Sequence, residues 1–231
     1  MKSYGQFCPV AQSMELLGER WTLLVVRELL SGSTRFSELE RGVPLMSKTM
    51  LSQRLQTLAD AGIVERRPRD GARGYTYHLT EAGEGLRAIV EACGLWATRW
   101  LRRDLTKEEL DSGLLMWGLQ RNLAAENLPD EQVLVQFFFP DGGRGKTRFW
   151  LHLDHGEVDL CLTHPGFDVD LEVESTVRAM TYVWLGRLDL ARAAKDGVIK
   201  LRGDRRWVRA FPTWLRLSGF AEAWREAEGA R

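Results

Sequence analysis

The spacing of apolar positions changes character along the chain. Residues 9–17 and 21–31 read as helices; in the second, Leu23, Val26, Arg27 and Leu30 fall at helical spacing and Gly32 ends it. Arg35 to Arg41 predicts a short helix with Phe36 and Leu39 turned inward, and Gly42, Val43 and Pro44 break the chain. Ser47 to Asp60 predicts a further helix. Ser47 suits its N-cap. Leu51, Leu55 and Leu58 form one apolar stripe; the opposite face carries Thr49, Gln53 and Gln56, with Lys48 and Ser52 on its flank. Ile63 to Arg67 and Gly74 to Leu79 predict two strands around the turn Pro68-Arg69-Asp70-Gly71-Ala72-Arg73. In residues 80–103, Leu86, Val90, Cys93, Ala97 and Trp100 step by four and three, and Ile89, Trp96 and Leu101 widen the stripe.

The grammar then changes. After more helical sequence, four runs alternate with period two: Val133-Val135-Phe137-Phe139, Phe149-Leu151-Leu153, Val158-Leu160-Leu162 and Val169-Leu171-Val173. Alternation with one wet face predicts an antiparallel sheet. Its turns are Asp141-Gly142-Gly143, Asp154-His155-Gly156 and Pro165-Gly166. Residues 175–195 predict a helix with Val177, Met180, Val183, Trp184 and Leu188 inward, and another holds Phe211, Trp214, Leu215 and Phe220. The fold class expected is α+β, with one sheet face covered by helices.

Composition adds a division. Of the 231 residues, 44% are apolar and 28% charged, with 32 basic and 32 acidic groups, which excludes a disordered chain or a histone-like basic protein. The balance is uneven along the chain: residues 1–105 carry 15 basic and 12 acidic groups, and residues 106–231 carry 17 and 20. We therefore expect two domains, 1–105 and 106–231. No apolar run approaches the ~20 residues of a membrane helix. Met1 to Val10 lacks a secretory pattern. Cys8, Cys93 and Cys161 are widely spaced and odd in number, which fits a reducing cytoplasm and no disulfide framework.

The polar face of residues 47–60 carries the first candidate chemistry. Thr, Ser, Gln and Lys side chains can hydrogen-bond base edges or phosphates in a major groove, whereas an ordinary solvated helix more often carries Glu–Lys pairs. A polar helix followed by an arginine-flanked hairpin is the winged helix-turn-helix plan, in which the helix enters the major groove and the wing touches backbone or minor groove. Thr49, Ser52, Gln53 and Gln56 are the expected base contacts. Arg35, Lys48, Arg54, Arg66, Arg67, Arg69 and Arg73 are the expected phosphate or wing contacts. The broad stripe of residues 80–103 exceeds what one small domain can cover, so a homodimer through it is expected, with packing against the second domain as the alternative.

The first part also resembles a known family. Cys8-Pro9-Val10, Leu16-Leu17-Gly18-Glu19-Arg20-Trp21, Arg35-Phe36-Ser37-Glu38-Leu39, Leu51-Ser52-Gln53-Arg54-Leu55, Gly62-Ile63-Val64 and Tyr77-His78-Leu79-Thr80-Glu81-Ala82-Gly83 occur in the order of HxlR-type transcriptional regulators. The resemblance covers residues 5–102 and implies a winged-helix dimer acting on double-stranded DNA at promoters. Pro44-Leu45-Met46-Ser47 departs from the family's common Pro-Gly-Ile-Ser. Some related regulators sense oxidants through a cysteine at the position of Cys8. A redox role for Cys8 and a buried packing role both remain open.

Residues 128–222 resemble the sterol-carrier-protein-like lipid-binding fold. The resemblance rests on Asp168-Val169-Asp170-Leu171-Glu172-Val173, Val183-Trp184-Leu185-Gly186-Arg187 and Ala193-Ala194-Lys195-Asp196-Gly197-Val198, followed by Leu201-Arg202-Gly203-Asp204. It implies an apolar site for a lipid or similar effector. Phe137, Phe139, Phe149, Leu151, Leu160, Leu171, Val173, Met180, Trp184, Phe211 and Leu215 are its expected lining. From the residues alone, a filled core and a ligand cavity stand equal.

Other signals fail. Pro140 to Thr147 nearly spells a phosphate loop, but Pro140 replaces the required glycine and a strand follows where a helix is needed. His152, His155, Asp159, Cys161 and His164 match no zinc spacing. No nucleophile–base pairing suggests an enzyme, and no cofactor or metal is expected. The reading is therefore an effector-responsive DNA-binding regulator. The alternative is a lipid-binding or lipid-shuttling protein whose winged helix makes protein contacts.

Overall fold

The computed structural model describes residues 3–69, 71, 73–101, 103–142 and 145–229. Met1, Asp70 and Ala72 of the hairpin tip, and Gly143 and Arg144 of the expected loop, lie outside the described residues. The chain divides into two compact units, residues 1–94 and 95–231.

In the first unit, α1 spans Pro9–Leu17, α2 Thr22–Leu30, α3 Phe36–Gly42 and α4 Lys48–Asp60. Pro9 opens α1, where its missing N–H costs nothing. The Ser47 hydroxyl accepts the Met50 amide at 3.2 Å, which caps α4 as its sequence predicts. Strands β1 (Val64–Pro68) and β2 (Tyr75–Leu79) pair antiparallel, with Val64 opposite Leu79 and Pro68 opposite Tyr75. A bridge between Arg35 and Thr76, with the Tyr77 amide donating to the Thr34 carbonyl at 2.8 Å, ties the start of α3 to the hairpin. Val25, Val26, Leu29, Leu39, Leu51, Leu55, Leu58 and Val64 meet in one core. Glu28 is buried with them, and Arg27 supplies a countercharge at 2.9 Å. Helices α5 (Glu81–Glu84) and α6 (Arg87–Trp100) follow, and the division between the units falls within α6.

The second unit opens with α7 (Ser112–Arg121) and builds a sheet from β3 (Val133–Phe138), β4 (Arg148–Asp154), β5 (Glu157–Cys161), β6 (Leu171–Glu174) and β7 (Lys200–Gly203). The order is β5-β4-β3-β6-β7. Between β6 and β7 lie α8 (Val177–Trp184) and α9 (Leu190–Lys195); α10 (Arg205–Trp214) and α11 (Ala221–Gly229) close the unit.

The second unit corrects five expectations. It is mixed, because β3 pairs parallel with β6; period two marks a strand without fixing its partner's direction. Four residues form a fifth strand, β7, antiparallel to β6. The expected single wet face is not wet at the centre: Leu134, Gln136 and Trp150 are buried. His164 and Phe167, from the segment after β5, cover that side, with ring centroids 5.5 Å from Trp150 and 5.1 Å from His152. Finally, the helix expected over 175–195 is two helices, broken where Gly186 takes φ +78°, and Phe220 lies between α10 and α11. No described helix is long and apolar enough to cross a membrane.

Candidate nucleic-acid interface

Helix α4 separates two kinds of side chain. Leu51, Leu55 and Leu58 point into the core at 1% exposure or less, while Thr49, Ser52, Gln53 and Gln56 are all exposed. The structure thus brings the four expected base-contact residues onto one free surface. Two local bonds shape it. The Gln56 amide nitrogen donates to the Asp60 carboxylate at 2.7 Å, and the Thr57 hydroxyl donates to the Gln53 carbonyl at 3.0 Å.

The basic residues divide into two groups. Arg35, Lys48, Arg66, Arg67 and Arg73 are exposed, and Arg69 is half-buried. Lys48 lies 3.1 Å from Glu40 but keeps 75% of its side chain in solvent. Such a surface pair contributes ~0–1 kcal/mol and gives way readily to a phosphate. On the hairpin, Arg66 lies over the Tyr75 ring, 3.3 Å from its centroid, which holds the guanidinium against the strand. Arg67 binds the Glu65 carboxylate at 2.7 Å; the bond raises the arginine's proton affinity and holds the carboxyl below its ordinary range. The Arg69 amide donates to the Gly74 carbonyl at 3.2 Å and closes the base of the turn.

Arg54, the remaining expected phosphate contact, is held differently from the other basic residues. Its side chain is only 14% exposed and pairs with Glu19 at 3.3 Å. It braces α4 against the segment before α2. Glu19 lies 35 residues upstream, so no local pattern around Arg54 points to it. Tyr75 and Met50, outside the expected contact residues, are both exposed beside the polar surfaces. A large apolar or aromatic residue at a solvent-facing position of a polar element is the signal that marks them.

Cys8 forms the N-cap of α1 and is half-buried. The Ala11 and Val10 amides hold its thiol below the ordinary cysteine value, because the helix N-terminus favours the thiolate. Burial and Asp159 push the Cys161 thiol upward.

The expected apolar lining of the second unit lies in a single core. Phe137, Phe139, Phe149, Leu151, Leu171, Val173, Met180 and Phe211 are buried, with Leu160, Trp184 and Leu215 packed against them at partial burial. The rings touch in series: Phe137–Phe139 at 6.3 Å, Phe137–Phe211 at 6.0 Å and Phe139–Phe149 at 6.1 Å between centroids. Among the described residues, no group of three His, Cys, Asp or Glu side chains is placed to hold a metal ion.

A helix pair that leads into a core-anchored helix with an exposed polar face, followed by a basic hairpin, defines a winged helix-turn-helix protein. The model of the HxlR-like helix-turn-helix family matches residues 16–105. The HTH-type transcriptional regulator YvaP of Bacillus subtilis is 38% identical over 100 residues, covering 42% of this chain and 92% of that protein. YodB of Bacillus subtilis, also an HTH-type transcriptional regulator, is 36% identical over 96 residues, 40% of this chain and 85% of its own. Rv3095 of Mycobacterium tuberculosis is 39% identical over 95 residues, 41% of this chain, but only 60% of that regulator is spanned. The solved reduced form of YodB covers 41% of this chain and 95% of its own at 35% identity, with a TM-score of 0.36, too low to carry a fold argument. The chain belongs to the HxlR-like helix-turn-helix family.

Proposed function

We propose that the protein is a DNA-binding transcriptional regulator that acts as a homodimer. The exposed face of α4, held outward by its leucine stripe, is the observation that carries the reading. Thr49, Ser52, Gln53 and Gln56 contact base edges in the major groove, and Arg35, Lys48, Arg66, Arg67, Arg69 and Arg73 contact phosphates or the minor groove. Dimerisation through residues 80–103 is supported by α6, which leaves Ile89, Leu95, Trp96 and Trp100 exposed. A two-fold dimer places its recognition helices one helical turn apart, about 34 Å. Selection from a pool of random duplexes at physiological salt tests the reading. It should yield two related half-sites with that spacing, and a failure to enrich any sequence refutes it.

The second unit is read as sterol-carrier-like, with an apolar small molecule as effector. The support is the strand set followed by α8 and α9 and then by the segment Gly197 to Gly203, which contains β7. The effector must prefer one arrangement of the DNA-reading heads to act at all. Linkage then requires operator DNA to change the affinity for an acyl-chain probe. Equal affinity in titrations with and without operator removes the coupling.

A thiol switch at Cys8 is favoured by its place at the start of α1, where the helix N-terminus favours the thiolate. Cys8 should alkylate with iodoacetamide faster than Cys161 and reach half its maximal rate at a lower pH, as followed by peptide mass spectrometry. The reverse order removes the physical basis for the switch.

A further inference from the structure

We propose that Met50 reads the 5-methyl group of a thymine in each half-site. The inference rests on the duplex-binding reading and adds a specificity element to it. Met50 is 41% exposed in the first turn of α4, and Leu45, in the turn just before it, is 59% exposed. Single exposed apolar residues are ordinary on protein surfaces. Two within residues 45–50, the turn into a recognition helix and its first residues, are not scattered.

The core does not need this side chain. Leu51, Leu55 and Leu58 anchor the helix from its other side. The Met50 amide is bound by the Ser47 cap, so the first turn is fixed and the side chain leaves it at a set position. At helical spacing that position borders Gln53, three residues on, at the edge of the polar face. The N-terminal residues of a recognition helix are the ones that meet base edges. In the major groove, the thymine methyl is the one apolar feature that distinguishes a base pair. A flexible thioether chain can settle on it without demanding one rotamer. Lys48 on the opposite flank supplies charge for the adjacent backbone, and Thr49 and Gln53 between them supply hydrogen bonds.

The experiment replaces each thymine of a selected duplex, one at a time, with deoxyuridine, which lacks only the methyl. At one position per half-site the parent protein should bind about fourfold more weakly per methyl lost, the equivalent of ~0.8 kcal/mol. Met50→Ala should bind the thymine and uracil duplexes equally at that position, with its melting temperature unchanged as a check of folding. The double-mutant cycle between side chain and methyl isolates their contact. The proposal is overturned if no uracil substitution weakens the parent, if the selected half-sites contain no thymine, or if Met50→Ala keeps the full thymine preference. Absence of any selected sequence defeats the regulator reading itself, an outcome distinct from those three.

Discussion

Leu55→Ala should destabilise the first unit by about 2–5 kcal/mol, the range for deleting a buried leucine side chain. Leu55 is 1% exposed at the middle of α4, between Leu51 and Leu58, where it meets the core of the helical unit. Truncation removes its apolar burial and leaves a cavity that the flanking leucines, held on the same helix, close only in part. Against the ~5–15 kcal/mol of an ordinary domain this is a large share. DNA binding should fail at a lower temperature, because the recognition face exists only while the stripe is docked. Thermal and urea melts followed by hydrogen exchange in α4 measure the effect. Gln53→Ala, two residues away on the exposed face, should melt within about 0.5 kcal/mol of the parent. A Leu55→Ala protein as stable as the parent would mean that α4 is not anchored through this stripe.

The second large effect separates sequence reading from phosphate binding. Gln53→Ala should lose about 1–3 kcal/mol at its base pair, roughly tenfold to a hundredfold in affinity, and accept substitutions there that the parent rejects. Arg69→Ala should weaken binding to selected and scrambled duplexes alike. It should also lower the slope of log affinity against log salt by about 1 for each phosphate contact removed. The difference follows from what each side chain can recognise: an amide matches the pattern on a base edge, whereas a guanidinium on the hairpin meets a phosphate present at every step. Titrations of both duplexes at three salt concentrations distinguish the two signatures. If both variants bind like the parent, these side chains do not touch DNA.

The first unit was legible because its signals are local. A serine one residue before Lys48, leucines at four- and three-residue steps, and glycine–proline breaks specify α4 and its exposed face. The hairpin follows from two β-rich runs around a basic turn. The partner of Arg54, Glu19, comes from a distant segment, and a charge on a helix gives no sign of what faces it. In the second unit the inward-facing residues were legible from alternation, and the pairing was not. The parallel contact of β3 with β6 depends on which strand the intervening chain brings alongside. β7 escaped notice because it is four residues long and its polar side chains, Lys200 and Arg202, look like surface charge. They are exposed, and they are also the cross-strand partners of Glu174 and Glu172. The cover over Trp150 and His152 comes from His164 and Phe167, in a segment without regular periodicity.

The most direct test is a crystal structure of the protein on a duplex obtained by selection. In that complex α4 should lie in the major groove, with the Gln53 amide about 2.7–3.2 Å from a base edge and the arginine-flanked hairpin on the neighbouring backbone. A complex in which the duplex lies against another surface, with Thr49, Ser52, Gln53 and Gln56 turned away from it, would contradict the account.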